Sequence, residues 1–273
     1  MKLQANRIAL REIWSVERPL VGMIHLLPLP GSPGWGGSMR AVIDRATADA
    51  LALRLAGFDG LLIENFGDAP FHPRRVPAAA VAALAVAAAE ITAESDLPIG
   101  INVLRNDAAA ALGVAVAVGA RFIRCNVHVG GMWTDQGWVE GRAHHTLRLR
   151  AVLGARVAIL ADVFVKHAVP PPGLTIADAA RDTWERGLAD ALIVTGAATG
   201  VAPEDGRFEA VRAAVPGASI WIGSGLSAGD ARLARADGAI IGSALQRDGR
   251  AGSGVDPERA VRFVRAARGT VVD

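Results

Sequence analysis

The sequence predicts an α/β fold of the (β/α)8 class, a TIM barrel with a short N-terminal helix, formed as one domain over residues 1–273 with its core between about 20 and 268. Three observations predict it. Short apolar runs of strand length alternate eight times with longer, Ala-rich amphipathic stretches. Polar residues gather at the C-terminal ends of those runs, where barrels of this class build their sites. The first run leads into HLLPLPGSPGWGG, punctuated by proline, whereas a doubly wound sheet would ordinarily place a Gly-rich dinucleotide fingerprint there.

The strands, in order, are LVGMIH (20–25), GLLIEN (60–65), PIGINV (98–103), RFIRCNVH (121–128), VAILADV (157–163), DALIVTG (190–196), SIWIGSG (219–225) and GAIIGS (238–243). Each is apolar in its lower part and of strand size. A helix follows each, over 38–56, 77–95, 108–119, 142–154, 175–187, 204–215, 228–236 and 257–268. No shift of composition marks a linker, and a chain of 273 residues that is 51% hydrophobic can bury one large core.

Composition excludes several classes. The formal charge is only +2, and the high isoelectric point reflects in part the absence of Tyr, so it does not read as a nucleic-acid signature. The single cysteine, Cys125, cannot form an internal disulfide, which fits a reducing compartment. The N-terminal MKLQANRIALREIW lacks an apolar targeting core, and no run reaches membrane-spanning length without charge or glycine. The reading is a cytoplasmic protein without a transmembrane segment.

The strand ends carry the candidate chemistry. They place His25, Glu64, Asn65, Asn102, Arg124, Asn126, His128, Asp162 and Thr195 at the barrel mouth. Period-two alternation puts Arg124, Asn126 and His128 on one side of the fourth strand, and three polar groups facing the helix layer would be costly. The same parity joins Asp162 to Lys166 as its nearest charge partner. Lys166 is singular in this chain: the only other lysine is Lys2, and arginine supplies every other basic side chain. Arginine cannot readily lose a proton, so a retained internal lysine suits either a Schiff base or general base, or a fixed cation for phosphate or developing negative charge. His128 and His167 are candidate proton carriers.

The last two strands end in IGSGLS and IIGSAL. Glycines there let backbone N–H groups approach an anion, and barrels often hold phosphate at this place. Gly223, Ser224, Gly225, Gly242 and Ser243 are the phosphate candidates, and TGAATG (195–200) closes the ring from strand six. Trp35, Trp133 and Trp138 lie on mouth loops, placed to stack on a ligand, act as a lid or cover the rim. No cofactor is firmly implied. His25, Glu64, His128, Asp162 and His167 leave a divalent metal open, but no HxH or HExxH spacing is present and no metal ligand is assigned.

The blocks GMIHLLPLPGSP, ENFGDAPF, GINVLRNDAAAAL, FIRCNVHVGG, TDQGWVEG, ADVFVKHA, DTWERGLADALIVTGAATG and IGSALQRDG together resemble the BtpA/SgcQ family, from about residue 20 to 263. The resemblance implies a single barrel related to ribulose-phosphate-binding barrels. Its functional implication is divided: one branch is described as a photosystem I biogenesis factor and another as an enzyme linked to sugar metabolism. No catalytic residue carries over from it. The family blocks add Asp68, Arg105, Asn106 and Asp107 to the candidate site, as substrate contacts beside Asn65, Asn102, Arg124, Asn126, His167 and Thr195. The family pattern differs from this chain at Phe164, where a histidine is expected, and at Gln246 and Arg247, where lysines are expected.

The leading expectation is an enzyme acting on a phosphorylated small molecule, a sugar or nucleoside phosphate, by lyase, isomerase or glycosyl-bond chemistry. Lys166, Asp162, His128, His25 and Glu64 are the catalytic candidates. The alternatives are a non-catalytic assembly factor of the photosystem I type and a metal-dependent hydrolase. Self-association follows only by fold analogy.

Overall fold

The computed structural model describes residues 7–196, 199–200 and 206–269. In chain order its strands are β1 (Leu20–His25), β2 (Gly60–Glu64), β3 (Ile99–Asn102), β4 (Phe122–Cys125), β5 (Gly131–Thr134), β6 (Gly137–Glu140), β7 (Ala158–Val163), β8 (Ala168–Val169), β9 (Ala191–Val194), β10 (Ile220–Ile222) and β11 (Gly238–Ile241). Eight of them close a parallel barrel in the order β1-β11-β10-β9-β7-β4-β3-β2, while β6, β5 and β8 form a separate antiparallel sheet over the mouth. The predicted barrel is therefore the observed one, with β1 spanning its predicted run and the other barrel strands shorter than theirs by one to three residues at one or both ends.

Alternation sorts the strands into an inner and an outer face. Val21, Met23, Leu62, Phe122, Leu160, Ile193, Trp221 and Ile240 fill the inside, and the intervening residues, such as Ile24, Ile63 and Ile101, meet the helices. The barrel floor is closed by the chain's own N-terminal segment. The expected helix there is a single 3-10 turn, Leu10–Glu12, which delivers Trp14 into the bottom. Its ring lies 5.1 Å from those of both Phe122 and Trp221, and its indole N–H donates to the Asp59 carbonyl at 3.0 Å. Gly100 makes room for this packing: a Cβ there would stand 2.2 Å from the Phe122 ring.

The helices are α1 (Met39–Ala56), α2 (Ala78–Glu94), α3 (Ala108–Val118), α4 (Ala143–Val152), α5 (Ile176–Arg181), α6 (Arg207–Ala214) and α7 (Pro257–Ala267). Their starts follow local chemistry. Ser38, Asp107, Thr175 and Asp256 each accept a backbone N–H of the first turn, and Pro257 follows Asp256 at the first helical position. Two predicted helices are altered. The stretch 175–187 begins as α5 and ends in a π-helical turn, Asp182–Arg186. The stretch 228–236 yields only the 3-10 turn Ala231–Ala234, because the Asp230 carboxylate binds the Arg232 amide and guanidinium and so satisfies this segment locally. The start of the predicted helix 204–215 lies partly outside the described residues.

The small sheet was not expected from GGMWTDQGWVEG, which reads as a loop. It forms because Gly137, with φ of 89°, closes the turn and Trp133 pairs across it with Trp138 at 5.1 Å between ring centroids. Beneath it, Val127, Met132, Val139 and Val165 make a minor core that anchors the loop following β7.

Candidate functional site at the barrel mouth

The uppermost inward position of each of the eight strands is occupied by His25, Glu64, Asn102, Arg124, Asp162, Thr195, Gly223 and Gly242. No aliphatic side chain breaks this ring. Burying so many polar groups is tolerable only when they satisfy one another or a ligand. Much of the ring is mutually bonded. Arg124 holds Asp162 through both carboxylate oxygens at 3.0 and 3.2 Å, and Asn126 donates to the same carboxylate at 2.9 Å. Asn102 donates to Glu64, whose other oxygen lies 3.8 Å from His25 Nε2. The Gly252 amide donates to His25 Nδ1 at 3.3 Å, so the neutral imidazole carries its proton on Nε2, toward Glu64. Burial pushes His25 down to about 4, against the opposing pull of Glu64.

Lys166 stands apart from these pairs. Its half-buried side chain makes no hydrogen bond or ion pair with another described residue. Parity paired it with Asp162, but the strand ends at Val163 and Asp162 is already engaged by Arg124 and Asn126. Burial lowers the ammonium pKa below its ordinary value, and the nearby Arg124 charge lowers it further, with Glu64 and Asp162 opposing and Arg105 adding to the decrease. The backbone around it is held in an uncommon shape. Phe164 and His167 adopt φ of 57° and 56°, in the left-handed region that side chains avoid. Buried Arg105 clamps this turn by donating to the Lys166 carbonyl at 2.6 Å.

A cavity joins this lysine to the glycine turns. It is lined by His25, Arg124 and Lys166 together with Gly223–Leu226, Gly242–Ala244 and Gly200. Among the described residues, the Gly225, Ser243 and Ala244 amides enter no backbone hydrogen bond outside the strand ladders. Ser224 accepts from the Gly196 amide at 2.8 Å and ties strand six's loop to the cavity lining. Residues 197 and 198 of the TGAATG stretch lie outside the described residues. Larger clefts occur at the opposite end of the barrel, around Arg18 and Trp14, away from every polar strand end.

The structure thus gathers His25, Glu64, Asn102, Arg124, Asn126, Asp162, Lys166, Thr195 and the glycine turns, and it sends other candidates elsewhere. His128 lies beyond the end of β4, where alternation no longer applies. Its Nε2 is hydrogen-bonded to the Gly187 carbonyl at 2.8 Å, and burial lowers its pKa to about 4. It braces the π turn instead of facing the cavity. Asn65 accepts the Leu104 amide and donates to Asp68, which in turn accepts the Leu29 amide. Asn106 bonds both backbone groups of Val127, and Asp107 caps α3 while accepting the Val76 amide. These four fix mouth loops to one another. His167 is exposed and accepts the Thr199 amide at 3.1 Å. Cys125 is buried and its thiol pKa is pushed up to about 12, which suits an inert packing group. Sequence reasoning missed the role of Arg105 as a backbone clamp, for which spacing gives no signal.

Among the described residues, no group of three or more His, Cys, Asp or Glu side chains is arranged to hold a metal ion. No helix among them is long and apolar enough to cross a membrane.

Fold and mouth together define a parallel (β/α)8 barrel with a buried, mixed-charge site at its C-terminal end. The chain belongs to the BtpA family, whose pattern it matches over residues 16–269. It is 44% identical to the photosystem I biogenesis protein BtpA of Synechocystis sp. over 96% of this chain and 95% of that one. It is 46% identical to an uncharacterized protein of Thermococcus kodakarensis over 92% of this chain and 96% of that one. Solved barrels share its fold. Phosphoribosyl anthranilate isomerase from Thermus thermophilus superposes with a TM-score of 0.58 at 11% identity, over 93% of this chain and 100% of that one. KGPDC from Streptococcus mutans gives 0.57 at 11%, over 93% and 99%.

Proposed function

We propose that this protein is an enzyme acting on a phosphorylated small molecule that carries a carbonyl group, with Lys166 as the reacting amine. The observation that carries the reading is the position of Lys166. Among the described residues it is a half-buried lysine without a carboxylate partner, in one small cavity with Arg124 and with turns whose Gly225, Ser243 and Ala244 amides donate to no described backbone group outside the strand ladders. A lysine kept for charge alone would gain from a paired acid. Here Arg124 takes the nearest one, and burial and the Arg124 charge lower the ammonium pKa below its ordinary value, toward the neutral form that attacks a carbonyl or removes a proton. The phosphate would sit against Gly223–Gly225 and Gly242–Ala244, next to Arg124. Glu64 and His25 are placed to exchange protons on the other side, and the tight hold of Arg124 and Asn126 on Asp162 keeps the Arg124 guanidinium aimed at the cavity. Solved barrels with phosphoribosyl compounds in their names share the fold, which agrees with this reading.

Reductive trapping tests it. The full chain is mixed with pyridoxal 5′-phosphate, a phosphorylated aldehyde, and reduced with borohydride, and the labelled peptides are mapped by mass. With only Lys2 and Lys166 present, assignment is direct. Labelling of Lys166 that exceeds labelling by unphosphorylated pyridoxal, and that inorganic phosphate suppresses, supports the proposal. Equal labelling by both aldehydes, or none at Lys166, refutes it.

A second reading, a non-catalytic assembly factor, is favoured by the name of the Synechocystis relative and by the exposed Trp133, Trp138 and Val169 on the mouth sheet. It needs an outer partner surface and gives the polar ring no task. Capture of membrane-complex subunits by Lys166→Arg as efficiently as by the unaltered chain, together with loss of capture in Trp133→Ala, would favour it.

A further inference from the structure

Two buried oxygens in the mouth have no hydrogen-bond partner among the described residues. They are the side-chain carbonyls of Asn102 and Asn126, residues 1% and 3% exposed. Their identity as oxygens follows from chemistry: the other end of each amide faces a carboxylate, Glu64 for Asn102 and Asp162 for Asn126, and a carboxylate accepts hydrogen bonds but does not donate them. The NH2 groups are thereby fixed on the acids, and the oxygens are left as acceptors on the β3 and β4 side of the ring. The donors of the mouth, Arg124 and Lys166, line the cavity together with the glycine turns. The glycine turns after β10 and β11 thus lie across the barrel from the neutral acceptors at the ends of β3 and β4, with Arg124 beside those acceptors and bordering the cavity.

We propose that Asn102 and Asn126 form a subsite for hydroxyl groups, so that the phosphorylated ligand is a polyhydroxylated chain, a sugar phosphate, with hydroxyls donating to these two oxygens. The inference rests on the phosphate reading and narrows it. A carboxylate or an aromatic ring placed there would leave both acceptors buried and unmet, whereas hydroxyls on successive carbons supply the missing donors while the phosphate rests on the opposite wall. A site that meets hydroxyls in this way rejects the analogue that lacks them.

The test compares ligands that differ only in hydroxyl groups. Calorimetry on the full chain measures binding of inorganic phosphate, of n-pentyl phosphate, and of the pentitol 5-phosphates in the ribo, xylo and arabino forms, none of which contains a carbonyl. At least one pentitol phosphate is expected to bind roughly 10- to 100-fold more tightly than pentyl phosphate. Asn126→Leu should erase that advantage by weakening the pentitol phosphate at least 10-fold more than pentyl phosphate or inorganic phosphate, any loss through Arg124 being common to all three, with the thermal transition confirming a folded variant. Should Asn126→Leu fail to fold, Asn102→Leu provides the same comparison. Equal or tighter binding of pentyl phosphate overturns the hydroxyl subsite while the phosphate reading stands. Absence of binding by every compound, including inorganic phosphate, overturns both.

Discussion

Replacing Asp162 with alanine tests the central electrostatic element of the mouth. The carboxylate is fully buried, receives two bonds from Arg124 at 3.0 and 3.2 Å and a third from Asn126 at 2.9 Å. Its removal leaves the Arg124 guanidinium buried without a counter-ion, a change that typically costs about 3–5 kcal/mol, and leaves the Asn126 amide without an acceptor, about 1–3 kcal/mol more. The sum, about 4–8 kcal/mol, is comparable with the whole stability of a typical domain, so the single variant should be close to unfolding. Arg124→Met should also be destabilising, since it strands Asp162. The double variant Arg124→Met with Asp162→Ala removes both charges and should recover at least about 2 kcal/mol relative to the sum of the singles. Urea unfolding followed by tryptophan fluorescence measures all four corners of the cycle, Trp14 and Trp221 being buried reporters beneath this layer. Asp162→Asn, which keeps an acceptor, replaces the alanine variant if that fails to fold. Additive losses in the double variant would refute the pairing argument.

Two further outcomes are expected. A Cβ at Gly223 would fall 2.4 Å from Ile193 and 3.4 Å from the Arg124 guanidinium, whereas one at Gly242 meets nothing nearer than 3.5 Å. Gly223→Ala should therefore lose about 1–3 kcal/mol and weaken phosphate binding by displacing Arg124, while Gly242→Ala should fold as the parent does; denaturation midpoints decide, and equal losses would contradict the geometry. Stability should also fall on acidification. His25 and His128 protonate near 4 in the fold but near 6.5 when exposed, so between these values the unfolded chain binds more protons. Their full contribution is present above pH 6.5 and is lost by about pH 4, roughly 3 kcal/mol for each. His128→Gln should reduce the slope of stability against pH by about half, and an unchanged slope would show that His128 titrates normally.

The barrel was legible in the sequence because each of its strands buries both faces and several of the following helices carry their own starting signal. A continuous apolar run needs no partner to be recognised, and Ser38, Asp107 and Asp256 announce their helices locally. The polar ring was legible for the same reason: a charged residue ending an aliphatic strand has few places to go other than the barrel mouth. What a sequence cannot express is competition for partners. Asp162 is adjacent by parity to Lys166, yet it belongs to Arg124, because two strands brought side by side offer a bidentate fit that the following loop does not. His128 continues the spacing of Arg124 and Asn126, yet the strand ends before it and its ring turns to Gly187.

By itself the sequence determined the fold, the end of the barrel where the polar residues gather, and the singularity of Lys166. Only the tertiary structure decided which polar groups are spent on holding loops and which remain open. Asn65, Asp68, Asn106 and Asp107 close on backbone groups and on one another, while Lys166 and the carbonyl oxygens of Asn102 and Asn126 keep bonding capacity that no described residue uses. The physical reason is that hydrogen-bond capacity is finite and is assigned by three-dimensional distance. Residues equally polar in the sequence therefore part into structural braces and groups left to meet a ligand.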